Sequence, residues 1–301
     1  MNKSEIQQRL TSAVIDQLQH GTVPWLTPWV SNGYVPTSLQ TGKAYRGFNR
    51  MLLTMLGGKY DRSLWVTFKQ AKYLGGTVMR GEHGLPIIYY SMISKRDKET
   101  GEEFRVPLLR MSTVFNVEQC KDVTIPAKLM VKREPVPTLA GINTLLDKYT
   151  TKPEIHHSAS DSAHYSPLFD RINLPMPEQF TSAESMAQTI AHELVHSTGH
   201  ESRLDRFKGD DKPTQFGCAS YAREELVAEI GAVMALAEVG VTIDLAQNAS
   251  YIAGWLKALE NDTSLILSAS AKAQKAVDYM LGIKHEDIET ADETVTEEVM
   301  A

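Results

Sequence analysis

His192-Glu193-Leu194-Val195-His196 is the segment that decides the fold of the C-terminal half of this chain. Two histidines four residues apart lie on one face of a helix and can share a divalent metal, and the glutamate between them can act as general base on a water that the metal activates. A capping box at residues 181–184, apolar residues at helical spacing and Gly199 beyond the motif all favour a helix here. We predict that His192 and His196 are metal ligands and that Glu193 is catalytic, the alternative being a surface helix with solvated histidines.

A hydrolytic zinc site takes three protein ligands and leaves the fourth position to water, so a third ligand is needed. Glu225 and Glu229 lie four residues apart in a second helical segment, residues 221–236, whose other residues are apolar nearly all round. Carboxylates buried in such a helix need a cation. We predict that Glu225 is the third ligand and that Glu229 accepts the other ring N–H of a ligand histidine, with the two roles exchanged as the alternative.

Two further residues are candidates for the same site. His200 follows His196 by four residues, but Gly199 is expected to end the helix before it, so His200 ranks below Glu225 as a ligand. Tyr165 could donate a hydrogen bond to a developing oxyanion, and ordinary core packing is the alternative.

The composition is that of a globular intracellular protein. The chain has 301 residues, of which 42% are hydrophobic and 23% charged, enough for two ordinary domains. Its two cysteines belong to no paired spacing and its N-terminus lacks the apolar segment of a signal peptide. No run of about 18 apolar residues occurs. We therefore expect a cytoplasmic protein without disulfides and without a membrane segment.

Charge divides the chain into two parts. Residues 1–130 contain 17 Lys and Arg against 10 Asp and Glu, whereas the remainder contains 14 against 27. Pro135 and Pro137 interrupt any periodicity between the halves, and the acidic residues from position 286 onward have few apolar neighbours, as is typical of disorder. The predicted organisation is a domain over residues 1–130, a linker over 131–148, a second domain over 149–285 and an acidic disordered tail over 286–301.

The first domain mixes helix and strand patterns and so predicts an α+β fold. Residues 4–20 have the spacing of an amphipathic helix, and residues 86–91 and 106–117 are typical of strands. Basic residues alternate with aromatic ones, which suits single-stranded nucleic acid because cations follow the phosphates while rings stack on bases. The alternative is an aromatic core with solvated charges. The candidate DNA contacts are Trp25, Trp29, Lys43, Tyr45, Arg46, Arg50, Lys69, Lys72 and Arg80.

The motifs together resemble the ArdC-type antirestriction proteins of conjugative plasmids, whose first domain is also similar to the N-terminal region of a plasmid primase. The resemblance covers nearly the whole chain except the tail, in the family's order. It is carried by residues 21–29, 41–49, 65–71, 114–119, 192–200 with Arg203 and Leu204, and 221–229. It implies an α+β protein of two domains: an N-terminal domain that binds single-stranded DNA and a mainly helical, zincin-like metallopeptidase domain. It also implies protection of incoming plasmid DNA from host restriction.

The function that we expect is therefore twofold. The N-terminal domain binds single-stranded DNA, and the second domain is a zinc metallopeptidase of the gluzincin-like type, with Zn²⁺ as cofactor and Mn²⁺ as a possible substitute. The expected partners are single-stranded DNA and an unidentified protein substrate, for example a host protein bound to that DNA. The alternative is a DNA-coating protein whose metal site is catalytically silent, and the Glu193→Ala variant distinguishes the two.

Overall fold

The computed structural model describes residues 3–21, 23, 35–96, 101–129, 136–208, 219–241 and 249–284. Its N-terminal part contains helices and short strands around one long hairpin. The helices are α1 (Lys3–Gln19), α2 (Gly47–Gly57) and α3 (Phe68–Tyr73). The strands are β1 (Thr37–Ser38), β2 (Leu64–Thr67), β3 (Thr77–Val78), β4 (Leu85–Arg96), β5 (Glu103–Asn116) and β6 (Cys120–Lys121).

The main sheet of this part has the strand order β1-β2-β5-β4, and β3 pairs separately with β6. Strands β4 and β5 form an antiparallel hairpin from Leu85 opposite Val114 to Arg96 opposite Glu103, which extends both strands predicted from the sequence. Trp65 on β2 is fully buried with Val114 beneath α2, so this tryptophan is a core residue.

The C-terminal part is mainly helical and carries a three-stranded sheet of order β7-β9-β8. Its strands are β7 (Glu154–Ser158), β8 (His164–Ser166) and β9 (Arg171–Pro175), and its helices are α4 (Thr138–Lys148), α5 (Ala183–Ser197), α6 (Ala219–Glu238), α7 (Ala249–Asn261) and α8 (Leu265–Leu281). Helix α5 begins after Ser182, whose hydroxyl accepts from the Ser185 amide, so the cap lies one residue later than expected. The helix ends at Ser197, before Gly199 as predicted.

Residues 138–148, which the sequence analysis assigned to a linker, form α4. The prolines do not interrupt this helix because it begins directly after Pro137. Its Ile142 and Leu145 are buried in the main core, so this segment belongs to the packed C-terminal part. The rest of the predicted linker up to residue 135 and the predicted tail from residue 286 lie outside the described residues.

The main hydrophobic core extends through both parts of the chain. Apolar residues of α1 and α2, among them Leu10, Val14 and Leu52, are buried in the same cluster as residues of α5, α6 and α8. Helix α1 packs against α7 and α2 against α8. The N-terminal part is thus attached directly to α7 and α8, and α8 in turn packs against α6. Among the described residues, no helix is both long and apolar enough to cross a membrane.

Candidate metal centre

The candidate site lies between α5 and α6, which pack closely against each other. Gly231 on α6 makes this approach possible, because a Cβ atom there would lie 2.9 Å from both γ carbons of Val195 on α5. Spacing of 3.6 residues per turn places His192 and His196 on one face of α5. The close packing brings Glu225 of α6 opposite that face.

Three ligand atoms converge at this point. His192 Nε2 and His196 Nε2 are 3.0 Å apart. Glu225 Oε2 lies 3.4 Å from His192 Nε2, and Glu225 Oε1 lies 3.5 Å from His196 Nε2. Ligand atoms about 2.1 Å from a tetrahedral zinc ion are about 3.4 Å from one another. The donors, two imidazoles and a carboxylate, are of the types that such an ion takes. The arrangement therefore fits one divalent cation. Glu193, which lies between the two histidines in sequence, is buried.

A second carboxylate faces the other ring nitrogen of each histidine. Glu229 Oε1 lies 3.7 Å from His192 Nδ1, which is too far for the hydrogen bond predicted from the sequence. Glu224 Oε1 lies 3.3 Å from His196 Nδ1 and accepts a hydrogen bond from it. Glu224 was not predicted from the sequence, because its position directly before Glu225 matches no ligand spacing.

The buried charges of the site depend on one another. Burial alone would lower the pKa of His196, but hydrogen bonds to Glu224 and Glu225 outweigh it and raise the pKa to about 10. Burial alone would raise the pKa of Glu225, but the two imidazoles lower it. The pKa of Glu229 is raised, mainly by burial. The carboxylates thus favour a positive charge at this point, which a bound cation would supply.

The two remaining candidates do not belong to this cluster. His200 lies beyond the end of α5, with its Nδ1 2.8 Å from Ser202 Oγ, and it does not belong to the ligand group found among the described residues. Tyr165 is buried and donates a 2.7 Å hydrogen bond to Asp170, which in turn accepts two hydrogen bonds from Arg203. Tyr165 is therefore part of a structural network and is not a donor in the metal centre.

Two family models together match most of the chain. The model for the N-terminal domain of anti-restriction factor ArdC matches residues 4–115, and a zincin-like metallopeptidase model matches residues 143–272. The metal-free crystal structure of the antirestriction ArdC protein from plasmid R388 is 36% identical, covers 91% of this chain and 96% of that one, and has a TM-score of 0.74. The chain belongs to the ArdC antirestriction family. The predicted α+β fold with two domains is confirmed.

Other relatives are consistent with this membership. The Mn(II)-bound structure of the R388 ArdC protein is 35% identical, covers 92% of this chain and 97% of that one, and also has a TM-score of 0.74. Two DNA primases named TraC from Escherichia coli are 34% identical over 95% of this chain, which spans only 28% and 20% of their lengths. The uncharacterized protein y4eC of Sinorhizobium fredii is 30% identical over 92% of both chains. The similarity to a primase thus extends through both domains of this ArdC family member.

The predicted DNA contacts fall into different environments. Arg50 is only 3% exposed and forms an ion pair with Glu238 of α6, because α2 packs against the C-terminal helices. This burial removes Arg50 from the candidate contacts. Arg46 pairs with Asp278 of α8 at 2.5 Å and is only partly accessible. Tyr45 packs against the cluster around Trp65.

The exposed candidates are Lys43, Lys69, Lys72 and Arg80. Trp25 and Trp29 lie outside the described residues. Two aromatic residues that the sequence analysis did not propose as contacts, Phe68 and Tyr73, are exposed on α3 next to Lys69 and Lys72. Burial of the aromatic residues in a core was the alternative for this segment, and the exposure of Phe68 in the fold identifies it as a surface residue.

Proposed function

We propose that this ArdC family member is a bifunctional antirestriction protein that binds single-stranded DNA and hydrolyses peptide bonds at the metal centre. The single observation that carries the second activity is the convergence of His192, His196 and Glu225 beside the buried Glu193. A divalent cation there, with Zn²⁺ preferred and Mn²⁺ accepted, would activate a water and polarise a peptide carbonyl. Glu193 would take the proton from the attacking water and give it to the leaving amine.

The proposed DNA surface consists of Phe68, Lys69, Lys72 and Tyr73. Lys69, Lys72 and Tyr73 follow Phe68 by one, four and five residues, so all four lie on one side of the short helix α3. Ala71 is buried on the other side. Phe68 and Tyr73 are 47% and 76% exposed, and Lys72 Nζ lies 5.2 Å from the centre of the Phe68 ring. Exposed rings that lie together, beside positive charges, are typical of a surface that contacts a ligand.

Single-stranded DNA is the ligand whose chemistry matches this surface. Its bases offer faces for stacking, worth about 1–3 kcal/mol for each base, and its phosphates attract the two lysines. A duplex hides its base faces, so we expect it to bind less tightly. In this proposal the DNA domain occupies transferred plasmid DNA and protects it from host restriction, while the metal centre cleaves a protein found on that DNA.

Anisotropy of a fluorescent single-stranded oligonucleotide tests the DNA surface. The Phe68→Ala/Tyr73→Ala variant should weaken binding about 10-fold or more, since two stacking partners are lost. The Lys69→Ala/Lys72→Ala variant should reduce the slope of log affinity against log salt by about 1.4, at about 0.7 for each phosphate contact.

The matched control replaces two exposed apolar residues of the other domain, in the Leu168→Ala/Phe169→Ala variant, and should bind like the parent. Parental affinity of the α3 variants, or equal affinity of the parent for duplex and single strand, would overturn the assignment of this surface.

The Glu193→Ala variant separates the two activities. It lacks the general base but keeps the metal ligands and the DNA surface, so hydrolysis should be lost while zinc content and DNA affinity stay at parental levels. We expect transfer into a restricting host to remain protected, because occupancy of the DNA requires no hydrolysis. Loss of protection in this variant, with DNA binding intact, would show that proteolysis is the protective activity. The Glu193→Gln variant offers a trap with which to capture the protein substrate.

A further inference from the structure

Glu224 contacts the ring nitrogen of His196 that is not in the ligand cluster. The His196 ring places Nε2 in the ligand cluster, 3.5 Å from Glu225, and Nδ1 at 3.3 Å from Glu224 Oε1. The Glu224 side chain is only 9% exposed, so its hydrogen bonds are almost entirely shielded from water.

Arg206 in turn holds Glu224. Its Nη2 donates to Glu224 Oε1 at 2.7 Å and its Nε to Oε2 at 3.2 Å, so both carboxylate oxygens are engaged. The same guanidinium donates to the Val195 carbonyl at 2.9 Å and to the Thr198 hydroxyl at 2.5 Å. Arg206 therefore fastens the end of α5, which carries His196, to the carboxylate on α6.

We propose that Glu224 and Arg206 act together as positioning residues for His196, an inference that rests on the metal site proposed above. A histidine ligand must present the lone pair of one ring nitrogen, and a carboxylate on the other N–H fixes both its tautomer and its orientation. The bidentate contact with Arg206 also keeps Glu224 away from the cation, which leaves Glu225 as the ligand although the two residues are adjacent.

The two histidines are held unequally. Glu229 is 3.7 Å from His192 Nδ1, beyond hydrogen-bond distance, whereas Glu224 is within hydrogen-bond distance of His196. No arginine contact to Glu229 occurs among the described residues, while Glu224 has two contacts to Arg206. Loss of Glu224 should therefore affect the site more than loss of Glu229.

Zinc affinity, measured by competition with a chromophoric chelator, tests this inference. Glu224→Ala should weaken zinc binding about 10- to 100-fold, the usual effect of removing a carboxylate that orients a histidine ligand. Glu224→Gln should lose less, because its amide oxygen still accepts from Nδ1. Arg206→Lys, which keeps the charge but cannot form the bidentate contact, should fall between Glu224→Ala and the parent.

The matched control is Glu238→Gln, which disturbs another ion pair between an α6 carboxylate and an arginine, here Arg50 of α2, and should leave zinc affinity unchanged. The second readout is the proton NMR spectrum of the zinc-loaded protein. A downfield, slowly exchanging Nδ1–H resonance of His196 should be present in the parent and absent in Glu224→Ala.

Parental zinc affinity in Glu224→Ala, or an equal loss in Glu238→Gln, would overturn the positioning role and leave the proposed function standing. A parent protein without zinc affinity would overturn both. If Glu224→Ala does not fold without zinc, the Glu224→Gln and Arg206→Lys variants decide the matter by the same two measurements.

Discussion

Replacing Arg50 by methionine should reveal how firmly the N-terminal domain is attached to the metal-binding helices. Arg50 on α2 is 3% exposed and pairs with Glu238 near the end of α6, whose side chain is 24% exposed. Two neighbouring contacts link the start of α2 to α8: Arg46 pairs with Asp278, and the Gly47 amide donates to Gln274 at 2.8 Å. Loss of the buried cation should therefore weaken an interface that the two domains share.

The expected loss in the free energy of unfolding depends on which charge of the pair remains in the protein. Removing one member of a buried ion pair costs about 3–5 kcal/mol. Arg50→Met leaves Glu238, which water can partly solvate, so we expect the lower end, about 3 kcal/mol. Glu238→Met leaves the more deeply buried guanidinium, so we expect about 5 kcal/mol. The double variant leaves no charge and should be more stable than either single variant.

Calorimetry and urea unfolding followed by circular dichroism provide the measurement. At roughly 2 °C for each kcal/mol, Arg50→Met should lower the melting temperature by about 6 °C. The parent should unfold in one transition, because residues of both domains are buried in the main core. A cost below about 1 kcal/mol, the value of an exposed pair, would refute the reasoning. So would a milder effect in Glu238→Met than in Arg50→Met.

Three further predictions concern the C-terminal domain. Gly231→Ala should cost about 1–3 kcal/mol and weaken zinc binding, because the new Cβ pushes α6 away from Val195; parental zinc affinity in a metal titration would contradict this. Despite burial, Arg203 lowers the pKa of Asp170, so this carboxylate stabilises the fold at neutral pH and ceases to do so as the pH falls through its folded-state pKa. Asp170→Asn should accordingly be less stable than the parent at neutral pH, with a difference that shrinks in acid; a constant difference in urea unfolding would count against it. Zinc at a hundredfold excess over its dissociation constant should stabilise the chelator-treated protein by about 2.7 kcal/mol, and His196→Ala should abolish this rise in thermal melting.

Much of the site could be predicted from sequence because its information is local. Spacing of 3.6 residues per turn requires His192 and His196 to share a face of α5, whatever the rest of the chain does. The same rule identified Glu225 and Glu229 as one face of a second helix. The strand patterns of the long hairpin and the end of α5 before Gly199 were equally accessible, since they depend on neighbours in sequence.

Only the tertiary structure determined which faces meet. Helical spacing says nothing about how two helices cross, so the pairing of Glu224 with His196 and Arg206 could not be found before α5 and α6 were placed together. Arg50 illustrates the same limit, because an arginine in a basic, aromatic segment is usually solvated, and its burial depends on α6, which lies far along the chain. Phe68 is the converse: sequence alone left open whether this aromatic residue lies in the core or on the surface, and it is exposed because Ala71 on the other side of α3 is the buried residue. Long-range packing decides burial, and burial decides whether a charge or a ring contributes to the fold or remains available to a ligand.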